Sequence, residues 1–298
     1  MMHWRECERG AKEEMNLIDS IAKPAWAASF RAVTSKCEIC HRSLTLRHLS
    51  AQKAGIKMHG SWYCSSLCFT AAAEKRFSTL LASGTEQTNH VSRMPLGLSM
   101  IGRGLLTSTQ LKEVVDEQKE SGGEIGELLM RRGFVSEKQV TAARAAQWGC
   151  PVYSVPKYVV RAGIQIPSTL LQIYSAIPLH YVAAKKLLLM GFVHGIEYGL
   201  LYSIEQMTEC KTQPCFVTPS DFQMQMQQRA QAEEQRAESA SKEMTFEAVQ
   251  TPAEMAAILC GYGVDIEADE AMIGKCREYL WARLKYGPKE IDLLFKAV

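Results

Sequence analysis

The sequence lacks several features that would assign a function class directly. It has no phosphate-binding loop of the form G-x4-G-K-[ST], because Gly274-Lys275 is followed by cysteine and Asp269 stands where the first glycine is required. The longest apolar run, 187–193, is far too short to span a membrane. The charged N-terminus, 1–20, has no apolar core of a secretory signal. No residue has a sequence context that suggests a nucleophile. We therefore expect a soluble, cytoplasmic protein that is not an enzyme.

The composition also lacks an excess of charge of either sign. A formal net charge of +2 predicts no global attraction to nucleic acid or membrane. The chain is 47% hydrophobic and 22% charged, and its 298 residues leave room for two or three modules. In a reducing compartment its ten cysteines favour metal ligands or buried thiols over disulfides.

Shifts in composition divide the chain into several modules. Residues 82–93 are small and polar, as expected of a linker. Near the C-terminus, Thr251, Pro252 and Glu254 predict a capped helix start, and Gly287-Pro288 is interpreted as the stop of a helix that contains Trp281 and Leu284. The resulting segments are a helical N-terminus over 1–36, a cysteine-rich module over 37–81 that ends in a helix over 69–81, a compact region over 95–228, a polar linker over 229–245 and a helical C-terminal segment over 246–298.

The cysteine-rich module carries two closely spaced pairs of cysteines. Cys37 and Cys40 are separated by two residues, Cys64 and Cys68 by three, and 23 residues lie between the pairs. Each short spacing directs two sulfurs to one point, so that four thiolates can surround a zinc ion tetrahedrally. The segment is too polar to bury a core alone, and metal binding would supply folding free energy. The spacing predicts a zinc site.

Other interpretations of this module stay open. The four residues are free or buried thiols in one alternative. In another, Cys37 to His41 matches the C-x-x-C-H pattern of haem attachment. His41, His48 or His59 can also replace a cysteine as ligand. No acidic residue lies between Glu38 and Glu74, and a nucleic-acid surface is an alternative to a protein contact; the basic residues concerned are Arg42, Arg47, Lys53 and Lys57.

The compact region contains a tandem repeat with a period of 29 residues. One copy, PLGLSMIGRGLLTSTQLKEVVDEQ, covers 95–118, and the other, EIGELLMRRGFVSEKQVTAARAAQ, covers 124–147. Each copy predicts a short helix, a glycine at its C-terminus, and a Thr/Ser-x-x-Gln capping box that begins a second helix. The matched residues include Leu96, Gly97, Gly104 and Gln118 in the first copy and Ile125, Gly126, Gly133 and Gln147 in the second.

This repeat resembles the N-terminal domain of general secretory pathway protein E and of type IV pilus assembly ATPases. It is especially similar to the MshE N-terminal variant, which binds cyclic di-GMP through two 24-residue motifs of the form R-L-G-x2-L-x3-G-x6-L-x3-L-x2-Q. The resemblance continues through the proline-marked stretch 166–179 and covers about 130 of 298 residues. It implies an α+β multidomain protein, with a helical repeat subdomain over 95–150 and a small α/β subdomain over 151–228. Within the latter it predicts strands over 187–193 and 215–217 and helices over 197–207 and from 218.

The resemblance also implies a ligand and partners. The eight matched residues would contact cyclic di-GMP, with Leu96-Gly97 and Ile125-Gly126 against its bases, where a Cβ would block the approach. The arginine that leads each motif in the family is replaced by Pro95 and Glu124. Arg103 and Arg132 either compensate for that loss or complement the dipoles of the helices that they end.

Taken together, the patterns favour a non-catalytic bacterial adaptor or sensor related to the regulatory domain of secretion and pilus ATPases. Zinc is its expected metal, cyclic di-GMP its candidate ligand and a protein of secretion or pilus machinery its expected partner. The alternative is a zinc-dependent regulator that binds nucleic acid, which the patterns favour less. His180 and His194 are interpreted as core or surface histidines rather than ligands.

Overall fold

The computed structural model describes residues 36–43, 55–83, 93–154, 164–234, 242–249, 251–287 and 289–297. The helix predicted over 1–36 lies outside the described residues except for its last residue, as does most of the linker predicted over 82–93.

The first described elements surround the cysteine pairs. Strands β1 (Ile56–Met58) and β2 (Ser61–Tyr63) form an antiparallel hairpin, and helix α1 (Ser66–Ala82) follows. The helix predicted over 69–81 is confirmed and begins three residues earlier. The cause is Ser65, whose hydroxyl accepts a hydrogen bond from the backbone N–H of Cys68 at 3.3 Å and so caps the helix.

Four helices carry the tandem repeat. They are α2 (Leu96–Gly102), α3 (Ser108–Ser121), α4 (Ile125–Arg131) and α5 (Glu137–Trp148). Both predicted capping boxes are present, at Thr107 with Gln110 and at Ser136 with Gln139. Gly104 and Gly133 have φ angles of 68° and 72°, which glycine adopts without strain. The predicted unit of helix, glycine and capped helix is confirmed in both copies.

A small α/β subdomain follows the repeat. Its elements are α6 (Ser168–Ile173), β3 (Ala176–Val182), β4 (Leu187–Phe192), α7 (Tyr198–Thr208), β5 (Lys211–Phe216) and α8 (Pro219–Glu234). The three strands form a sheet with β4 in the centre, antiparallel to β3 and parallel to β5. The strands and helices that the resemblance predicts here are confirmed. We refer to residues 95–228 as the central domain.

The C-terminal segment differs from the prediction. It contains β6 (Lys242–Phe246), α9 (Pro252–Asp265), β7 (Glu270–Cys276), β8 (Tyr279–Tyr286) and β9 (Lys289–Lys296). Helix α9 begins at the predicted capping box of Thr251 and Glu254. A helical segment over 246–298 is nevertheless wrong beyond α9, because Trp281 and Leu284 both lie in β8.

The error has a physical cause. Strand β8 is paired on both edges and buried on both faces, so its apolar side chains follow one another without alternation. Such a run cannot be distinguished from a buried helix by periodicity alone. Gly287, with φ 54°, lies between β8 and β9 and turns the chain instead of ending a helix.

The polar linker predicted over 229–245 ends early, because β6 pairs with β9 and Phe246 stacks on Phe295 at 5.2 Å between ring centroids.

The two ends of the chain share one sheet of six strands. Its order is β2-β1-β7-β8-β9-β6, and β1 runs parallel to β7, with Lys57 opposite Glu270. Alternate residues of the C-terminal strands face two different cores. One core contains α1 and α9, with Phe69, Phe77 and Leu259 among its buried side chains. The cysteine-rich module and the C-terminal segment are therefore parts of one α/β unit.

The other core joins this sheet to the central domain. It includes Trp281 of β8 together with apolar residues of α6, α7 and the three-stranded sheet. A Cβ on Gly274 of β7 would lie 3.4 Å from Met207 Sδ, so α7 packs directly on this strand. The hydroxyl of Ser203 donates a hydrogen bond to the Lys275 carbonyl, and that of Tyr174 donates to the Cys276 carbonyl at 2.8 Å. The central domain is thus inserted between the two parts of the α/β unit and packs against its sheet.

Candidate functional site

The four predicted cysteine ligands lie together. Their Sγ atoms are all within 4.8 Å of one another. The Sγ of Cys64 lies 3.3 Å from that of Cys40 and 3.8 Å from that of Cys68. A tetrahedral zinc site with Zn–S bonds of about 2.3 Å has sulfurs about 3.8 Å apart. The cluster therefore has the donor type, number and spacing that zinc requires.

Local structure determines where each pair of cysteines points. Cys37 and Cys40 lie on a tight turn in which the N–H of His41 donates to the Cys37 carbonyl at 2.8 Å. His41 has φ 58°, in the left-handed region that closes such turns. Cys64 and Cys68 occupy the capped start of α1, directly after the hairpin of β1 and β2. A turn and a helix start thus converge on one point.

The thiols in the cluster differ in proton affinity. Burial raises the pKa of Cys37, but hydrogen bonds from the backbone N–H groups of Cys40, Cys64 and Ile39 outweigh burial and lower it to about 6. Burial and hydrogen bonds donated to the neighbouring sulfurs raise the pKa of Cys64 to about 12. Cys37 thus loses its proton most readily, while Cys64 keeps its proton and donates it in hydrogen bonds to neighbouring sulfurs. A metal cation that binds such a cluster displaces the remaining thiol protons.

The other interpretations of this module can be compared with the structure. The group of possible ligands around the four sulfurs does not include His59, whose Nε2 accepts a hydrogen bond from the N–H of Ile273 at 2.9 Å. His48, Arg47 and Lys53 lie outside the described residues. A nucleic-acid surface therefore stays a prediction, with Arg42 and Lys57 exposed. The convergence of all four sulfurs is the geometry that the four-cysteine interpretation requires.

The second candidate site is the place where the two motif copies meet. A Cβ on Gly126, at the start of the second copy, would lie 3.4 Å from Leu96 Cδ2 at the start of the first. The side-chain amide of Gln118 donates to the carbonyl of Gly123, and that of Gln147 donates to the carbonyl of Met94. Each final glutamine therefore holds the start of the other copy. Gly123 lies two positions before Ile125-Gly126, and Met94 lies two positions before Leu96-Gly97. The two motif starts lie side by side, as the ligand interpretation expects.

The glycines of the motif starts have a packing role that the sequence interpretation did not include. A Cβ on Gly97 would lie 2.4 Å from Leu111 Cδ1, and one on Gly126 would lie 2.8 Å from Arg144 Nη2 and 3.1 Å from Val140 Cγ1. Both glycines thus let the first helix of a copy pack closely on the second. Contact of Leu96-Gly97 and Ile125-Gly126 with a nucleotide stays a prediction.

The leading position of the second copy is occupied by an ion pair. Glu124 pairs with Arg144, whose side chain is 7% exposed, and Glu124 Oε2 lies 2.9 Å from His194 Nδ1. Arg144 also donates from Nη1 to the Val193 carbonyl at 3.0 Å. The hydrogen bond with His194 and the charge of Arg144 lower the pKa of Glu124 in spite of its partial burial. The carboxylate is ionised and internally neutralised at neutral pH.

Comparisons with known proteins cover less than half of the chain. No protein-family model matches the chain. The type IV pilus assembly ATPase PilB of Thermus thermophilus is 22% identical over 129 residues, which is 43% of this chain and 14% of PilB. A structure of MshE with cdg has 19% identity and a TM-score of 0.40, covering 46% of this chain and 99% of that chain. A structure of the XpsE N-terminal domain has 18% identity and a TM-score of 0.34, covering 48% and 97%.

The central domain is similar to the N-terminal domains of secretion and pilus-assembly ATPases. The resemblance inferred from the two 24-residue motifs is therefore confirmed. The chain spans about a seventh of the length of PilB. None of the helices within the described ranges is long and apolar enough to cross a membrane.

Outside the central domain, the Gly274-Lys275 pair lies in a strand and not in a phosphate-binding loop. Both residues belong to β7. The ammonium group of Lys275 donates to the carbonyl of Leu80 at 2.8 Å and to that of Ser83. It thereby satisfies carbonyl groups at the C-terminus of α1, which favours a cation.

Two residues of the central domain make contacts that the sequence does not predict. Arg144 was not considered, although it stands where the motif has leucine, and that departure was a usable signal. His194, interpreted as a core or surface histidine, is 38% exposed and also contacts Glu124 of the repeat. The two arginines offered as compensating cations, Arg103 and Arg132, follow α2 and α4; Arg132 Nε lies 2.7 Å from Glu117 Oε2 and is already paired.

Proposed function

We propose that the chain is a non-catalytic adaptor or sensor whose central domain docks onto a protein of bacterial secretion or pilus machinery. The observation that carries this proposal is the paired arrangement of the motif copies, in which Gln118 and Gln147 each fasten the start of the other copy. Such an arrangement forms a rigid, two-fold-like surface on an α/β support. It provides a place for a partner or ligand without any catalytic group.

The outer side of this domain carries the apolar side chains that a docking surface needs. Met94, directly before the first motif copy, and Leu98 within it are 62% and 52% exposed. Tyr198 and Tyr202, one turn apart on α7, are 50% and 61% exposed. Trp148 connects the two groups, because its ring lies 6.3 Å from that of Tyr198 and Arg93 lies over it at 3.5 Å. Tryptophan, tyrosine and arginine are the side chains that most often dominate binding to proteins.

Zinc has a structural role in this proposal. The four cysteines tie the turn at Cys37 to the start of α1, and α1 packs against α9 in the core of the six-stranded sheet. Metal bound there would stabilise the unit into which the central domain is inserted. Structural zinc sites of this kind have four protein ligands and no open position for catalysis.

Cyclic di-GMP is the candidate ligand of the central domain. The related MshE structure contains it, and the two motif starts lie side by side here as two halves of a symmetric ligand would require. Two features oppose strong binding: the leading arginines are replaced, and Glu124 is a carboxylate that would repel a dianion. The docking role does not depend on the nucleotide.

Cross-linking in cells that produce the full chain tests the proposal. We expect cross-links from the central domain to a component of a secretion or pilus machine. The double variant Tyr198→Ala/Tyr202→Ala is expected to lose them. Val264→Ala is the matched control, because Val264 is 59% exposed on α9, outside the central domain. Cross-links that survive the double variant, or that come only from the unit with the six-stranded sheet, would contradict docking through this surface.

A further inference from the structure

Two departures from the family motif occur in the second copy, and the structure brings them into contact. The motif begins with arginine and has leucine three residues before its final glutamine. The second copy has Glu124 at the first of these positions and Arg144 at the other. The first copy has the uncharged Pro95 and Val115 there. Compared with the family motif, the second copy thus has an anion, Glu124, in place of the leading cation. It also has a cation, Arg144, in place of a leucine, and the two side chains pair.

The environment of Arg144 makes this anion necessary. Its side chain is more than nine-tenths buried, between the repeat and the end of β4. One amino group donates to the Val193 carbonyl, and the other pairs with Glu124, which is 45% exposed. A buried guanidinium without a counter-charge strongly destabilises a protein, whereas a half-exposed carboxylate that loses its partner is solvated by water. The pair is thus asymmetric: Arg144 depends on Glu124 much more than Glu124 depends on Arg144.

The same contact joins two subdomains. Arg144 lies on α5 of the repeat, while Val193 and His194 follow β4 of the α/β subdomain. His194 Nδ1 lies 2.9 Å from the carboxylate that pairs with Arg144. One carboxylate oxygen therefore connects α4, α5 and the end of β4.

We propose that the Glu124 carboxylate acts as a built-in anion that takes the place of an anionic ligand at the second motif copy. It neutralises Arg144 and holds the repeat against the α/β subdomain, so that the domain is assembled without nucleotide. This inference rests on the proposed docking function and names Glu124 as the residue that sets the ligand preference of the central domain. Removal of the carboxylate creates a site for a small external anion beside Arg144.

Chemical rescue by inorganic phosphate tests the proposal directly. Glu124→Ala is expected to lower the Tm by about 5–10 °C, and Arg144→Leu by clearly less. Millimolar inorganic phosphate is expected to restore part of the Tm of Glu124→Ala, relative to chloride at equal ionic strength. It is expected to leave the parent and Glu124→Ala/Arg144→Leu unchanged. Should Glu124→Ala fail to fold, Glu124→Gln keeps the size of the side chain and removes its charge.

Glu120→Ala is the control for these measurements. Glu120 is an exposed carboxylate at the end of α3. Glu127 would not be a control, because its carboxylate lies within 4.8 Å of the Glu124 carboxylate and the His194 ring nitrogen. Glu120→Ala is expected to behave as the parent does, and equal phosphate effects on Glu124→Ala and Glu120→Ala would overturn the proposal. So would a Glu124→Ala variant that is as stable as the parent without phosphate.

Titration with cyclic di-GMP separates this inference from the proposed function. Glu124→Arg/Arg144→Leu restores the family motif at both positions, and we expect it to bind at least tenfold more tightly than the parent. Parent binding as tight as that of the restored variant would overturn the inference while supporting a sensor. Failure of both to bind would remove cyclic di-GMP from the proposed function, and phosphate rescue would still decide whether Glu124 is the built-in anion.

Discussion

The side-chain amide of Gln147 donates a hydrogen bond to the backbone carbonyl of Met94, 53 residues earlier in the chain. The bond closes the second motif copy onto the start of the first, and Gln118 makes the reciprocal bond to Gly123. The last residue of each motif thus determines where the other begins. Both bonds are present here although the leading residue of each copy differs from the arginine of the family motif.

Loss of this bond should loosen the first motif copy. We expect Gln147→Ala to lower the free energy of unfolding by about 1 kcal/mol, the usual contribution of one hydrogen bond. Amide hydrogen exchange should accelerate at residues 93–98 and not in the six-stranded sheet. Glu120→Ala, an exposed change at the end of α3, is the control. Exchange at 93–98 that is identical in both variants would show that the bond does not hold this segment.

The zinc prediction now extends beyond the cysteine-rich module. Purified protein should contain one zinc per chain, and Cys64→Ser should release it. Because β1 pairs with β7 and α1 packs with α9, loss of metal should also increase hydrogen exchange in residues 252–276. Cys260→Ser is the control, since this half-buried thiol lies on α9 outside the cluster and should leave zinc bound. Elemental analysis without stoichiometric metal, after preparation free of chelators, would contradict the assignment.

Much of this architecture could be predicted from local signals. Short-range chemistry determines the capping boxes, the turns at Gly104 and Gly133, and the spacing of the paired cysteines. The structure has the turns and helices that these features indicate. The partnership of β1 with β7 could not be predicted, because it joins residues more than 200 positions apart and leaves no periodic pattern. The ion pair of Glu124 could not be predicted for a related reason, since Glu124 and its two partners come from three separate parts of the chain.

Substitution of the motif glycines should destabilise the repeat before it affects any ligand. In Gly97→Val the new Cβ would lie 2.4 Å from Leu111 Cδ1, and overpacking of this kind typically costs about 1–3 kcal/mol. A Cβ on Gly102, by contrast, would meet no atom within 4 Å, so Gly102→Ala is the control. Thermal unfolding should show a lower Tm for Gly97→Val only, and Gly97→Val/Leu111→Ala should recover part of the loss. A Gly97→Val protein as stable as the parent would mean that α2 and α3 separate easily.

His59 should make the stability of the α/β unit depend on pH. Its Nε2 must be unprotonated to accept the hydrogen bond from Ile273. Partial desolvation lowers the pKa of His59 below its usual 6.5, although the residue is exposed in part, and the charge of Arg76 lowers it further. Below pH 6.5 the folded state therefore binds fewer protons at His59 than the unfolded state does. The contribution of His59 to stability is present above pH 6.5 and is lost as the pH falls through the lower pKa of the folded state. His59→Asn, which tolerates the φ of 49°, should flatten the pH dependence of chemical unfolding below pH 6.5. An unchanged slope would assign the effect to other groups.

The chain should not hydrolyse ATP, and Lys275 provides the decisive variant. In a phosphate-binding loop the lysine contacts the β- and γ-phosphates, so its removal abolishes turnover. Here the Lys275 ammonium group instead holds the last carbonyls of α1 against β7. We therefore expect Lys275→Ala to lower the Tm and to leave a background ATPase rate unchanged, whereas Lys285→Ala, on the next strand, should affect stability less.

Both rates are measured on protein passed through a final gel-filtration step, so that contaminating ATPases are resolved from the chain. Turnover that follows the protein peak and disappears in Lys275→Ala would place a nucleotide site on β7 and overturn the non-catalytic assignment. Turnover that follows the peak but survives Lys275→Ala would overturn it too, and would locate the nucleotide site elsewhere in the chain.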